Sequence, residues 1–196
     1  MFDWFRSGLA VVSLRGRLWA FLNLVFFCFC FWVAFAVELL FPSELSVGWQ
    51  PRFPELIFGD TFLVIFLSIF FSNLILSAFV FVTLPGFVFF PLSGAMLVYR
   101  AFLWGLLLRY QPTWLLLAAL PTLVLEGEGY VLAAVGGTVA GVSWVKPKRV
   151  YKEEDLSRFA AFKKALKECL GIYVFVSIVL LVASAVETVT LTMVAY

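Results

Sequence analysis

The chain has 196 residues, of which 64% are hydrophobic and 13% charged, with a formal net charge of +2 and a mean hydropathy of +1.06. A soluble domain carries about 25% charged residues, so this composition excludes an ordinary water-soluble fold and points to lipid as the solvent. The charge is too small for a nucleic-acid binder, which shows a basic face. The absence of histidine removes imidazole metal sites and histidine-based catalysis.

A hydrocarbon core of about 30 Å takes about 20 helical residues to cross. The first predicted span covers 18–40 and lacks a small-x-small cleavage site at its end, so it reads as a retained helix. It holds Cys28 and Cys30, whose side chains point about 200° apart on a helix, too far to grip one metal. With Cys169 they read as buried small hydrophobes. Pro42, Pro51 and Pro54 keep the next stretch irregular. That stretch carries Glu44, Arg52, Glu55 and Asp60, with Trp49 as an interfacial anchor. The second span, 61–83, includes Asn73. Leu84-Pro85-Gly86 predicts a tight turn, and the third span, 87–108, carries Arg100.

After a break at Arg109-Tyr110-Gln111-Pro112, an apolar stretch covers 113–145. At 1.5 Å per residue it is too long for one upright helix. Pro121 and Glu126-Gly127-Glu128-Gly129 interrupt it, which predicts a kinked or broken helix. Residues 146–171 form the one extended polar segment. Phe159, Phe162, Leu166 and Leu170 recur there at spacings of three and four, the pattern of an amphipathic helix at the membrane surface, and Glu153-Glu154-Asp155 favour a helix start just before it. The last span is 172–194, with Glu187. The expected fold is therefore all-α: a polytopic integral membrane bundle of about five transmembrane helices in one domain, its fourth helix kinked or broken.

Arg6, Arg15 and Arg17 precede the first span, and the basic 146–171 loop precedes the last. The positive-inside rule then places both regions and the N-terminus in the cytoplasm and the C-terminus outside. Lys163, Lys164 and Lys167 are expected to meet the membrane surface or a partner, since basic residues near a span gain about 1 kcal/mol each from anionic lipid. A scarcity of glutamine hints at a thermophilic origin.

The residues that point to function are the polar ones inside the spans: Asn73, Arg100, Glu126, Glu128 and Glu187. A charge at the bilayer centre costs from about 2.5 to well over 10 kcal/mol, depending on the reference state. Arg100 has either to snorkel outward or to pair with a carboxylate. Glu187 is a candidate partner for it, or for a cluster with Asn73. One arginine serves three carboxylates, so at least one glutamate is expected to be protonated, hydrated or bound to something else. Ala133, Gly137 and Gly141, spaced by four, form a small-residue stripe for close helix packing, in this chain or between chains. No nucleophile–base pair, metal-ligand set or cofactor motif accompanies these residues, so no enzyme, cofactor or metal site is expected.

Three stretches resemble the stage II sporulation protein M family of small polytopic membrane proteins. Phe71-Ser72-Asn73-Leu74, with the later Leu92-Ser93-Gly94, is similar to its Asn-Leu stretch and later Asn-Gly. Pro121-Thr122-Leu123-Val124-Leu125-Glu126, followed by Ala133 and Gly137, is similar to its Pro-His-Gly-x-x-Glu segment. Ala183-Ser184-Ala185-Val186-Glu187 resembles the end of its last span. The order is kept, but Thr122 stands where the family has histidine, Leu123 where it has glycine and Ser93 where it has asparagine. The resemblance implies a membrane scaffold or assembly subunit, with Asn73, Glu126 and Glu187 at the family's polar positions. The expected partners are the lipid bilayer and either further copies of the chain or other membrane subunits. The competing expectation is a small ion- or proton-coupled transporter or channel using the intramembrane glutamates.

Overall fold

The computed structural model describes residues 12–40, 61–110, 113–152 and 155–194. Arg6, residues 41–60 with Trp49 and the acidic side chains there, Gln111-Pro112 and Glu153-Glu154 lie outside the described residues. Every described element is helical: α1 (Gly16–Leu40), α2 (Phe62–Val88), α3 (Pro91–Tyr110), α4 (Thr113–Val145), the short α5 (Pro147–Val150) and α6 (Arg158–Val194). Five of these are long and apolar enough to cross a membrane, so the protein is an all-α, multi-pass helical bundle.

Helix α4 is the centre of the bundle and packs against α1, α2, α3 and α6. In its most apolar window 61% of residues are buried, against 11% for α2. A helix apolar around its whole circumference belongs in a core, and 131–137 is buried without interruption. Helix α1 turns Leu22, Phe26, Cys30 and Val33 inward, a stripe at helical spacing. It comes close to α3 because Gly105 has no side chain: a Cβ there would lie 2.6 Å from the Cys30 carbonyl oxygen.

Three features of the helices differ from the sequence expectation. Pro85 and Gly86 are helical, and the chain turns instead at Phe89, which is extended at φ −147° and ψ 111°. Phe90 precedes Pro91, and a residue before proline avoids the helical region. Pro91 then opens α3 at a position that wastes no backbone donor. Helix α4 runs unbroken through Pro121 and through Gly127 and Gly129, so the helix is not opened there. Gly127 and Gly129 serve packing instead: Phe26 and Phe27 of α1 press on the first and Leu180 of α6 on the second. The amphipathic segment and the last span are one continuous 37-residue helix, α6.

The small-residue stripe of α4 finds its partner within this chain. Thr83 donates its hydroxyl to the Ala133 carbonyl at 2.9 Å. A Cβ on Gly137 would lie 2.2 Å from Ser93 Oγ, and one on Gly141 2.1 Å from the Gly86 carbonyl oxygen. The turn between α2 and α3 is thus seated directly on the α4 backbone.

Between Phe71 and Leu84, α2 winds as a π-helix over Ser72–Thr83, and Leu84 N–H reaches back five residues to the Phe79 carbonyl. Such winding is rare and is associated with functional sites. Here it has a geometric cause. Asn73 meets Glu126 and Thr83 meets Ala133, so ten residues of α2 run alongside seven of α4. An α-helix rises about 1.5 Å per residue, so α2 would overshoot by about 4.5 Å. The wider turn absorbs the excess and keeps both contacts.

Candidate functional site

Thr122, Glu126 and Tyr130 stand one turn apart on α4, all buried. Across from them, Asn73 comes from the π-helical part of α2 and Arg100 from the middle of α3. Arg100 points inward rather than snorkelling. Its Nη2 donates to the Tyr130 hydroxyl at 2.5 Å, and its guanidinium lies 4.4 Å from the centre of the Tyr130 ring. The Tyr130 hydroxyl donates to Asn73 Oδ1 at 2.8 Å, with Glu126 Oε2 a more distant acceptor at 3.4 Å. Asn73 Nδ2 then donates to Glu126 Oε1 at 2.5 Å.

The result is a directional chain of donors, from guanidinium to phenol to amide to carboxylate. It has a positive charge at one end and a carboxylate at the other, so the cluster is neutral when both are ionised. That is the arrangement by which low-dielectric surroundings tolerate charge. It ties α2, α3 and α4 together at one level. Two buried atoms beside it have no hydrogen-bond partner among the described residues: Arg100 Nε and Thr122 Oγ1.

Of the five polar residues singled out in the sequence, the structure brings Asn73, Arg100 and Glu126 together. Tyr130 links them, although the sequence reading passed over it. The available signal was its spacing of four from Glu126, which puts the two on one face. Glu128 sits apart, facing α1. Trp19 Nε1 donates to its Oε2 at 3.2 Å. With its amide oriented to satisfy both neighbours, Asn23 donates to Glu128 Oε1 at 2.8 Å and accepts from Trp19 at 3.0 Å. Trp19 and Asn23 are also spaced by four, and neither was singled out. Glu187 is half-buried on α6.

A second cluster fastens the start of α1 and the end of α5 to the first third of α6. Arg15 pairs with Glu168 at 3.3 Å and donates to the Val150 carbonyl at 3.4 Å. Tyr151 donates to the other Glu168 oxygen at 2.9 Å. The Lys164 ammonium lies 4.6 Å from the centre of the Tyr151 ring. Lys164 is therefore turned into the protein, whereas Lys163 and Lys167 are exposed. At the opposite end of the bundle Arg109 pairs with Glu38, joining the ends of α3 and α1.

Among the described residues no group of three or more histidine, cysteine or acidic side chains is placed to hold a metal. No protein-family model, curated protein or solved structure matches the chain.

Proposed function

We propose that this chain is a non-enzymatic membrane scaffold or assembly subunit of the stage II sporulation protein M type, working with further copies of itself or with other membrane subunits. The observation that carries the reading is the Arg100–Tyr130–Asn73–Glu126 chain. Its groups hydrogen-bond one another across three helices, as expected of polar residues that specify packing. The orientation proposed is N-terminus cytoplasmic and C-terminus outside. It is supported by the Arg15–Glu168 contact, which gathers the start of α1 and the basic segment at one end of the bundle.

A second reading, a small ion- or proton-coupled transporter, draws on a specific pair of observations. Among the described residues the buried Thr122 hydroxyl has no hydrogen-bond partner one turn from Glu126, and Asn73 opposes them from a π-helix. A buried polar atom of this kind is a place for water or a ligand. Flux into proteoliposomes, compared among the parent, Glu126→Gln and Glu128→Gln, separates the two. The scaffold reading predicts no flux in any of them, and recovery of a defined assembly after purification in mild detergent. Flux in the parent that is lost in either variant would overturn it.

A further inference from the structure

Helices α2 and α6 do not close on each other along their whole length. Between them lies a cleft of about 470 Å³, walled by Leu74, Ile75, Phe79 and Phe87 of α2 and by Leu166 and Leu170 of α6. That is within the range of small-molecule sites, roughly 300–1,000 Å³. Among the described residues its wall also carries the Cys169 thiol and one hydroxyl, that of Tyr173, which is held 2.7 Å from the Thr83 hydroxyl. The cleft therefore offers a ligand an almost wholly apolar and aromatic surface.

Its mouth is chemically different. Phe162, one turn before Leu166, stacks edge-on against Phe87 and against Trp144 at the end of α4. Trp144 is followed directly by Lys146, Lys148 and Arg149, so this level reads as the membrane–water interface. Lys163 lies three residues before Leu166 and seven, close to two turns, before Leu170, which puts it on the cleft-facing side. Lys167 lies three residues before Leu170. Both lysines are exposed. The nearby carboxylate Glu168 is engaged by Arg15 and Tyr151, and among the described residues no ion pair engages Lys163 or Lys167.

We propose that this cleft is a binding site for an anionic phospholipid, one acyl chain lying between α2 and α6 and the phosphate held by Lys163 and Lys167. Lipid tails are as apolar as leucine, so the walls by themselves confer no headgroup preference. The selectivity comes from the lysines, at roughly fivefold each and roughly thirtyfold for the pair. Lys164, one residue away but packed on Tyr151, contributes none of it.

The test is native mass spectrometry of the full chain in mild detergent, with phosphatidylglycerol and phosphatidylcholine of matched chains, and with glycerol phosphate as a headgroup without a tail. The parent is expected to retain phosphatidylglycerol over phosphatidylcholine by roughly thirtyfold. Lys163→Gln combined with Lys167→Gln brings the two lipids to parity, while Lys164→Gln keeps the preference. Leu170→Trp, at an exposed wall position, reduces retention of both lipids. Equal retention by the parent overturns the proposal. So does an unchanged preference in the double lysine variant, or glycerol phosphate binding as well as the lipid. A cleft closed by a second copy, seen as a lipid-free dimer that Leu170→Trp dissociates, overturns it too.

Discussion

Replacing Tyr130 by phenylalanine removes one oxygen from the middle of the polar chain and nothing else. The ring stays under the Arg100 guanidinium, so packing and the cation–π contact survive. What is lost is the acceptor 2.5 Å from Arg100 Nη2 and the donor 2.8 Å from Asn73 Oδ1. A buried group left unsatisfied costs about 1–3 kcal/mol, and more when charged. Hydrogen bonds within membrane bundles average about 0.6 kcal/mol, because the unfolded chain in lipid also finds partners. Two lost bonds then bracket the effect between about 1 and 6 kcal/mol. Arg100 can snorkel to water when unfolded but not in the folded site, so the expected loss is about 2–3 kcal/mol. Reversible unfolding in mixed micelles, titrated with a denaturing detergent and followed by tryptophan fluorescence, measures it. A double cycle with Asn73→Leu should give a coupling of at least about 0.6 kcal/mol. A loss below about 0.5 kcal/mol, or strict additivity, would refute the claim that these residues act as one unit.

The glycines make an internally controlled pair. Gly141→Ala drives a methyl group against the Gly86 carbonyl and the Phe90 Cα, both backbone, and is expected to cost about 1–3 kcal/mol or more in the same assay. Gly94→Ala meets nothing within 4 Å and should stabilise α3 by about 0.5–1 kcal/mol; equal effects at both sites would sink the packing assignment. Arg15 and Glu168 are only 15% and 11% exposed, so a cycle between Arg15→Gln and Glu168→Gln should show about 1 kcal/mol of coupling. Its weakening between about 0.1 and 1 M salt should be slight, because the pair is mostly shielded; disappearance of the coupling would place it in open solvent.

The spans were readable because lipid demands about 20 apolar residues in a row, a signal that dwarfs local propensity. Their ends were less readable. Pro85-Gly86 looks like a turn in isolation, but Gly86 is needed where α2 presses on α4, and the helix continues through it. Gly127 and Gly129 look like a helix breaker beside two glutamates, yet they admit Phe26, Phe27 and Leu180. In both places glycine answers to a neighbour rather than to the backbone. Asn73, Arg100 and Glu126 could be picked out by the cost of polarity in lipid. Tyr130 carries no such cost in a chain with 24 phenylalanines, and only its spacing of four from Glu126 marks it. The π-helical stretch had no local signature, because its cause is the distance between two anchor points on another helix.

That stretch holds slack. Asn73 and Thr83 pin α2 to α4 at two points, with more chain between them than a tight winding would use. Rewinding the interval with ordinary i→i+4 bonds needs no covalent change and loses no backbone pairing, yet it lengthens the interval by about 4.5 Å. Both pins cannot survive that stretch. Either Asn73 slides off the Glu126 carboxylate, or the turn leaves its seat on Gly137 and Gly141. Pressure on the α2–α3 turn and a change of charge at Glu126 are therefore felt by the same few turns of helix, as two hands on one spring.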